Sequence, residues 1–471
     1  MTEVPIHAAI VGSGPSGFYA AEALAQSIRD VWVDMYERLP TPFGLVRSGV
    51  APDHPKLKDV TTIFERIMCS EHFRFVGNVD VGIDVGVPDL RANYHLVILA
   101  CGASCDRKMG IPGEGLAQCH SASDFVGWYN GHPDSRDLTF DLSQETAVVI
   151  GHGNVAADVC RILLQPAAAL HSTDIAAHAL EALSESRVRE VHLVGRRGPA
   201  QAKFTPKELR GLGSIAGCAA ISEAHALNEA SAIEIADRLN VNAAKNVDLF
   251  RSFIAPTEAS ARRLVFRFCL DPLAVEGDGR VERVVFRRNR LDGRPFEQRA
   301  APTAETDTID CGLVFASIGY RGRALDGVPF DEKLGIVPSD RGRVLDGGGS
   351  PGLYVTGWLK RGPTGIIGTN RADSIETVQR VLEDLPELLT ERREGSKRIL
   401  PRLSETGLRI VAAEDWRAID TAERERGAEV GKPREKYTRI ADMLLRLDTR
   451  PLNPPMGERQ LVGEAGTREA F

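Results

Sequence analysis

Residues 6–37, I-H-A-A-I-V-G-S-G-P-S-G-F-Y-A-A-E-A-L-A-Q-S-I-R-D-V-W-V-D-M-Y-E, decide the reading of this chain. Residues 7–11 are a short apolar run that enters the turn G-S-G-P-S-G at 12–17. A helix is expected over 18–28 and a second apolar run over 31–36, closed by Glu37. Strand, glycine turn, helix, strand and acid is the order of a dinucleotide-binding unit. Glu37 stands 20 residues beyond Gly17, where an acid accepts hydrogen bonds from an adenosine ribose. Gly12 makes the tight turn, Gly14 lets the backbone approach a pyrophosphate, and Gly17 lets helix and strand pack closely. The helix N-terminus adds free N–H groups and the positive end of its dipole.

A second copy begins at Thr146. Residues 147–150 (AVVI) enter G-H-G-N-V-A-A-D at 151–158, with Gly151, Gly153 and Ala156 in the three small positions. Its partner strand, 190–194 (EVHLV), closes on Gly195, Arg196 and Arg197 rather than on a carboxylate. Two guanidiniums suit a 2′-phosphate and disfavour the plain ribose of NAD. Arg196 lies 43 residues past Gly153, so a helical insertion over 166–189 is expected between them. The plain alternative for this arginine pair is a solvated turn.

One cradle with an acid and one with arginines point to FAD and NADP(H) held together. Residues 96–103 and 313–320 are apolar runs ending in small residues, placed where a chain would cross between two nucleotide domains. The expected fold class is α/β, with two Rossmann-like domains and the NADP domain inserted into the FAD domain. The expected boundaries are 1–104 and 321–450 for the FAD domain, 105–320 for the NADP domain, and 451–471 for a Pro-, Gly- and charge-rich disordered tail.

Composition narrows the function. The chain has 471 residues, room for several cores, and 45 glycines, above the usual share of about 7%. Lys and Arg number 58 against 65 Asp and Glu, a net −7 that argues against a nucleic-acid binder. Eight scattered cysteines form no C-x-x-C, which speaks against a disulfide framework, a zinc site, a dithiol centre and a resident iron–sulfur cluster. No metal is expected. No apolar run reaches the roughly 18 residues of a membrane span, and an apolar strand follows the N-terminus almost at once. A cytoplasmic protein without a membrane partner is expected.

Later in the chain, residues 353–370 (LYVTGWLKRGPTGIIGTN) read as a strand, a glycine loop and a helix starting near Gly365. An uncapped helix end there would stabilise negative charge on a reduced flavin ring. Trp358 is read either as a ring stacked near the flavin or as an ordinary packed tryptophan. A further helical region is expected beyond Pro401, to about Leu447.

These blocks, with LPTPFGLVRSGVAPDHPK (39–56) and VGRRGPAQAKFTPKELR (194–210), resemble the adrenodoxin reductase family and its actinobacterial NADPH–ferredoxin reductase branch. The resemblance runs from about residue 6 to residue 380. It implies flavin contacts at Ser16, Glu37, Leu45, Val81, Trp358, Gly365, Ile366 and Ile367. It implies NADP contacts at Arg107, Asn154, Val155, Ala156, Ala157, Arg196, Arg197, Glu208 and Gly365. It also brings His54 to the nicotinamide side of the flavin and Asp158 near the carboxamide, as candidate catalytic groups. Their structural alternatives are a loop histidine between prolines and a first-turn carboxylate favoured by the helix dipole. Two departures stand out: Gly211 replaces a second acid frequent in the family, and His152 is an unusual middle residue of its glycine turn.

The implied activity is hydride transfer from NADPH to FAD, then single-electron delivery to a small acidic iron–sulfur ferredoxin by a monomeric enzyme. Basic clusters for such a partner are Arg262 with Arg263, Arg287 with Arg288 and Arg290, and Lys203 with Lys207 and Arg210. The competing classes are a flavoprotein monooxygenase, against which residues 39–56 speak, and a flavin electron-transfer subunit of a larger complex, for which no docking domain is visible.

Overall fold

The computed structural model describes residues 5–223, 227–254, 260–345, 347 and 351–448. The expected tail, 451–471, lies outside the described residues.

Alternating apolar residues place the first strand between two cores. Along Ile6–Val11, Ala8 and Ile10 face one cluster, while Ala9 and Val11 face another, as the two-residue period of a strand requires. This strand is central in a seven-stranded sheet. The spatial order is Ser339–Asp340, Arg343–Val344, Leu353–Val355, Leu96–Leu99, Ile6–Val11, Val31–Glu37 and Phe73–Gly77. The last five of these run parallel, and the first two, at one edge, are joined by antiparallel pairings. The helix Pro15–Ser27 lies on one face and starts three residues earlier than the sequence predicts, because Pro15 at its first position already has a helical φ.

A second sheet of six parallel strands is built from the middle of the chain. Its order is Cys119–Ser121, Leu313–Ala316, Thr146–Ile150, Glu190–Gly195, Arg262–Phe268 and Cys218–Ser222. Here too the alternation decides the layers: Ala147 and Val149 face helices, whereas Val148 and Ile150 face an antiparallel three-stranded sheet, Leu270–Glu276, Arg283–Asp292 and Arg299–Asp310. The insertion expected over 166–189 contains two short helices, Ala167–Leu170 and Ala177–Ser184.

The chain passes between the two sheets at Cys105–Asp106 and Tyr320–Arg321, which pair with each other as a short antiparallel ribbon. After the return, the long helix Thr369–Leu388 packs beside Pro15–Ser27. The C-terminal helices are Ser396–Glu405, Ala413–Glu429 and Ile440–Asp448. Pro401 lies inside the first of these, so this helical region begins before it rather than beyond it.

The close packing at Gly17 is sharply constrained. A Cβ there would collide with the carbonyl of Gly12, whereas a Cβ on Gly14 would meet nothing within 4 Å. Gly17→Ala is expected to lower unfolding stability by about 1–3 kcal/mol, read as a urea midpoint shift. Gly14→Ala should leave that midpoint essentially in place.

Candidate functional site

The two glycine turns sit at the C-terminal ends of their parallel strands, where open α/β sheets bind ligands. Gly12 has φ 105°, and a Cβ on it would lie 2.6 Å from the Ala100 carbonyl oxygen. Gly151, with φ 136°, presses in the same way on the Ser317 carbonyl. Neither following helix has a side-chain cap: Gly14 precedes Pro15–Ser27 and Gly153 precedes Asn154–Leu164. Beside Gly14 and Gly153 a Cβ would meet open space. Each turn is therefore a cradle with bare N–H donors beside it, and each fits a pyrophosphate.

The rims differ in charge. Glu37 accepts hydrogen bonds from the Ser13 N–H (3.1 Å) and hydroxyl (2.7 Å), and from the Leu39 N–H (3.2 Å). This ties the rim acid to its own glycine turn. At the second rim Arg196 is exposed and Arg197 half-buried, and neither has an ion pair among the described residues. Burial and the neighbouring Arg196 lower the pKa of Arg197. The backbone here is held instead, with the Arg196 carbonyl accepting from Asn289 (3.1 Å) and the Arg197 carbonyl from the Cys269 N–H (3.1 Å). His152 now has a reason: its ring lies over Gly195, between Phe204 and Phe268, and bonds the Leu193 carbonyl at 3.0 Å. Burial pushes its pKa down to about 4, so it packs as a neutral ring.

The two units meet through charged groups. Arg161 of the helix Asn154–Leu164 bonds Asp53 of the outer unit at 2.6 and 3.1 Å, Asp158 at 2.6 Å and Glu208 at 3.4 Å. His54 Nε2 is 3.6 Å from Glu208 Oε2, and donor atoms of His54, Asp158 and Glu208 lie within 4.8 Å of one another. The guanidinium of Arg161 is the cation already placed among these carboxylates. Asp158 is not a first-turn residue. The helix starts at Asn154 and has no acid in its first turn, so the partner of Asp158 is Arg161 at i+3 and not the helix dipole. Burial raises its pKa from 3.8 to about 6, against the pull of Arg161. The fully buried Tyr129 hydroxyl, close enough to feel the Asp158 and Asp53 charges, has no hydrogen-bond partner. Glu208, expected among the NADP contacts, points into this seam and pairs with His54 and Arg161.

The other expected positions are placed as follows. Leu45 is exposed at the start of the short helix Leu45–Ser48, and Val81 is buried. Ser16 donates to Asn370 Oδ1 at 3.0 Å. Trp358 stacks on Tyr320, ring centroids 5.8 Å apart, and its indole N–H donates to the Thr364 carbonyl. Arg107 bonds the carbonyls of Tyr320 and Leu334, both at 3.1 Å, clasping the return crossing. Asn154 accepts from the Thr205 N–H, and Val155, Ala156 and Ala157 continue its helix. The helix expected near Gly365 starts at Thr369: Gly365 takes a left-handed φ of 85°, and the Thr369 hydroxyl accepts the Ile366 N–H. Ile366 is exposed and Ile367 half-buried in the turn between.

Sequence reading missed Asp53 and Arg161 as a pair, and it missed Asn130. The i+3 spacing of Asp158 and Arg161 was the available signal for the second of these groups. Asn130 lines a cleft with Glu37, Gly44, Arg47 and His132, and both polar atoms of its buried side chain are without a partner.

The raised pKa of Asp158 has a definite sign. The folded protein holds its proton more tightly than the unfolded chain between about pH 4 and 6. This group therefore makes stability fall as pH rises through that window. Comparing urea unfolding of the wild type with Asp158→Asn across that range should show this slope in the first and not in the second.

Comparison with known proteins agrees with this geometry. Residues 10–75 match the model of an NAD(P)-binding Rossmann-like domain. The chain is 44% identical over 449 residues to the mitochondrial NADPH:adrenodoxin oxidoreductase of Salvelinus fontinalis, covering 92% of this chain and 90% of that protein. It is 42% identical over 453 residues to the NADPH-ferredoxin reductase FprA of Mycobacterium tuberculosis, covering 93% and 98%. The solved structure of Mycobacterium tuberculosis FprA in complex with NADPH superposes with a TM-score of 0.89 at 41% identity, covering 94% and 99%. The chain belongs to the family of NADPH:adrenodoxin oxidoreductases and NADPH–ferredoxin reductases.

Proposed function

We propose that this protein is an FAD-dependent, NADPH-dependent ferredoxin reductase, and that two dinucleotide cradles of unlike rim charge, facing one seam, carry that reading. Bound FAD supplies the ability to accept an electron pair as hydride and to release electrons singly. What the chain supplies is alignment and charge. Residues 1–104 and 321–450 are the flavin part and 105–320 the inserted NADP part. The chain works as a monomer in the cytoplasm; eight free cysteines suit a reducing compartment. Among the described residues no helix is long and apolar enough to cross a membrane.

In this reading Gly12, Gly14, Ser16 and Gly17 cradle the flavin pyrophosphate, and Glu37 takes the adenosine ribose. Leu45, Val81, Trp358, Gly365, Ile366 and Ile367 line the rest of the flavin site. The orphaned Asn130 amide and the open space over Gly14 fit a polar dinucleotide. Gly151, Gly153 and residues 154–157 cradle the pyrophosphate of NADPH, Arg196 and Arg197 bind its 2′-phosphate, and Arg107 lies along its path. His54, Asp158 and Glu208 hold a proton at the seam; the exposed Gly211 adds no acid to them.

The partner is a small acidic iron–sulfur ferredoxin. Of the basic clusters read from the sequence, two are largely engaged within the fold: Arg262 donates to the Leu164 carbonyl, and Arg263 pairs with Glu190, Arg287 with Asp271, Arg288 with Asp307 and Arg290 with Asp292. Lys203, Lys207 and Arg210 are exposed, and their charged groups have no ion pair among the described residues. An acidic surface docks there in this reading.

Two experiments test these assignments. The purified protein should be yellow and bleached by NADPH far faster than by NADH. Arg196→Ala with Arg197→Ala should shrink that preference by at least about a hundredfold, since hydrogen bonds to charged groups contribute about 1.5–3 kcal/mol each. A preference unchanged by both substitutions removes the 2′-phosphate assignment. Charge reversal at Lys203 and Lys207 should slow ferredoxin-dependent cytochrome c reduction and flatten its salt dependence. Ferricyanide reduction by NADPH should stay at the wild-type rate.

A further inference from the structure

The nucleotide cradles leave the C-terminal part of the chain without a task. Between the helices Ala413–Glu429 and Ile440–Asp448, the segment 431–439 (GKPREKYTR) runs without regular structure across the junction of the two units. At its middle lies Lys436, 3% exposed. Its ammonium donates to the Arg47 carbonyl (3.2 Å) in the short helix Leu45–Ser48, and to the Asn130 carbonyl (3.1 Å) of the inserted unit. It also stands 3.1 Å from Asp174, likewise of the inserted unit. Three donors meet three acceptors drawn from both units. Asp174 is gripped a second time by Lys58 of the outer unit, at 2.7 Å.

The neighbours of Lys436 extend the same attachment. Lys432 donates to the Ile175 carbonyl and pairs with Glu435, whose carboxylate accepts the Ala177 N–H. Arg439 pairs with Asp137, and Arg434 with Asp420 and Glu423. Glu423 is fully buried and also holds Arg47 and the Tyr437 N–H. Gly131 takes a left-handed φ of 73°, and a Cβ there would lie 2.9 Å from Thr438, so the segment is seated tightly on the end of the helix Ala122–Asn130.

We propose that Lys436 is a positioning residue for hydride transfer: it is the crosspiece of a strap, residues 432–439, that sets the spacing between the short helix Leu45–Ser48 and the inserted NADP unit. The inference rests on the function proposed above, because only a reaction between ligands on two units needs their spacing held.

The charges around Lys436 give the strap a pH dependence. Lys58 and Arg47 face it with like charge and Asp174 with opposite charge, while Glu423 and Arg434 stand behind. Burial, with Lys58 and Arg47 adding to it and Asp174 opposing, pushes the amine from 10.5 down to about 7. An opened strap would expose the amine and bind a proton more tightly. Closure is thus most favoured at high pH, where the neutral amine keeps two N–H donors for the Arg47 and Asn130 carbonyls; it weakens as pH falls from about 10.5 and ceases to change below about 7.

The test mixes flavin-loaded wild type and Lys436→Met with NADPH and follows flavin bleaching between about pH 6.5 and 9.5. Lys436→Met should bind NADPH within about threefold of wild type yet bleach about tenfold to a hundredfold more slowly, as a displacement of ~1 Å does. Its rate should also lose the rise with pH that the wild type shows above about 7. A variant with wild-type rate and pH profile overturns the proposal. Should the variant not fold, amide hydrogen exchange on the wild type decides. Residues 46–49 and 130–132 should open together, and more often at pH 7 than at pH 9 once intrinsic exchange is corrected for. Independent opening of the two segments overturns the proposal. A wild type that NADPH fails to bleach refutes the function proposed above, while coupled or uncoupled exchange still judges the strap.

Discussion

Arg161 is a buried cation shared by three carboxylates, and the relation of the two nucleotide units turns on it. One of those acids, Asp53, belongs to the outer unit; the other two, Asp158 and Glu208, belong to the inserted one. Only the ribbon of Cys105–Asp106 with Tyr320–Arg321 joins the units covalently, and two short strands cannot fix an angle. Removing one partner of such a buried cluster leaves an uncompensated charge and costs about 3–5 kcal/mol. The geometry is therefore specified more sharply than a greasy contact of the same size would allow. Burial in this cluster lifts Asp158 to about 6, against the pull of Arg161, and leaves a group able to take up a proton at the seam.

The junction is charged throughout. Lys58 with Asp174 and Arg439 with Asp137 repeat the pattern of Asp53 with Arg161, each pair joining the two units. The apolar clusters stay within units: one pair flanks the seven-stranded sheet and the other the six-stranded sheet. Each unit has its own apolar core, and their mutual placement is left largely to directional polar contacts.

The rims show how one fold is turned to two ligands. Glu37 is held by Ser13 and Leu39, so the acid has fixed oxygens to offer a ribose. Among the described residues Arg196 and Arg197 are held through their backbone carbonyls and neither guanidinium has an ion pair, which in the proposed reading leaves both to a phosphate. A carboxylate accepting from hydroxyls needs orientation, whereas a guanidinium facing a dianion needs charge that no neighbouring acid has cancelled.

Much of this is legible in the order of the amino acids. The glycine turns, their strands and the charge of each rim are local features. Residues within about fifty positions of one another dictate φ, period and spacing, and these suffice to specify two nucleotide cradles and which of them prefers a phosphate. Helix boundaries are less legible, since Pro15 at the start of one helix and Pro401 inside another obey local φ, and Thr369 begins its helix by capping a turn that Gly365 opens. The seam, by contrast, exists only in the folded molecule. Asp53 and Arg161, Lys436 and Asn130, and Lys58 and Asp174 are 108, 306 and 116 residues apart. A lone lysine or aspartate carries no mark of its future burial. It becomes a paired, desolvated charge only when two finished units are brought face to face.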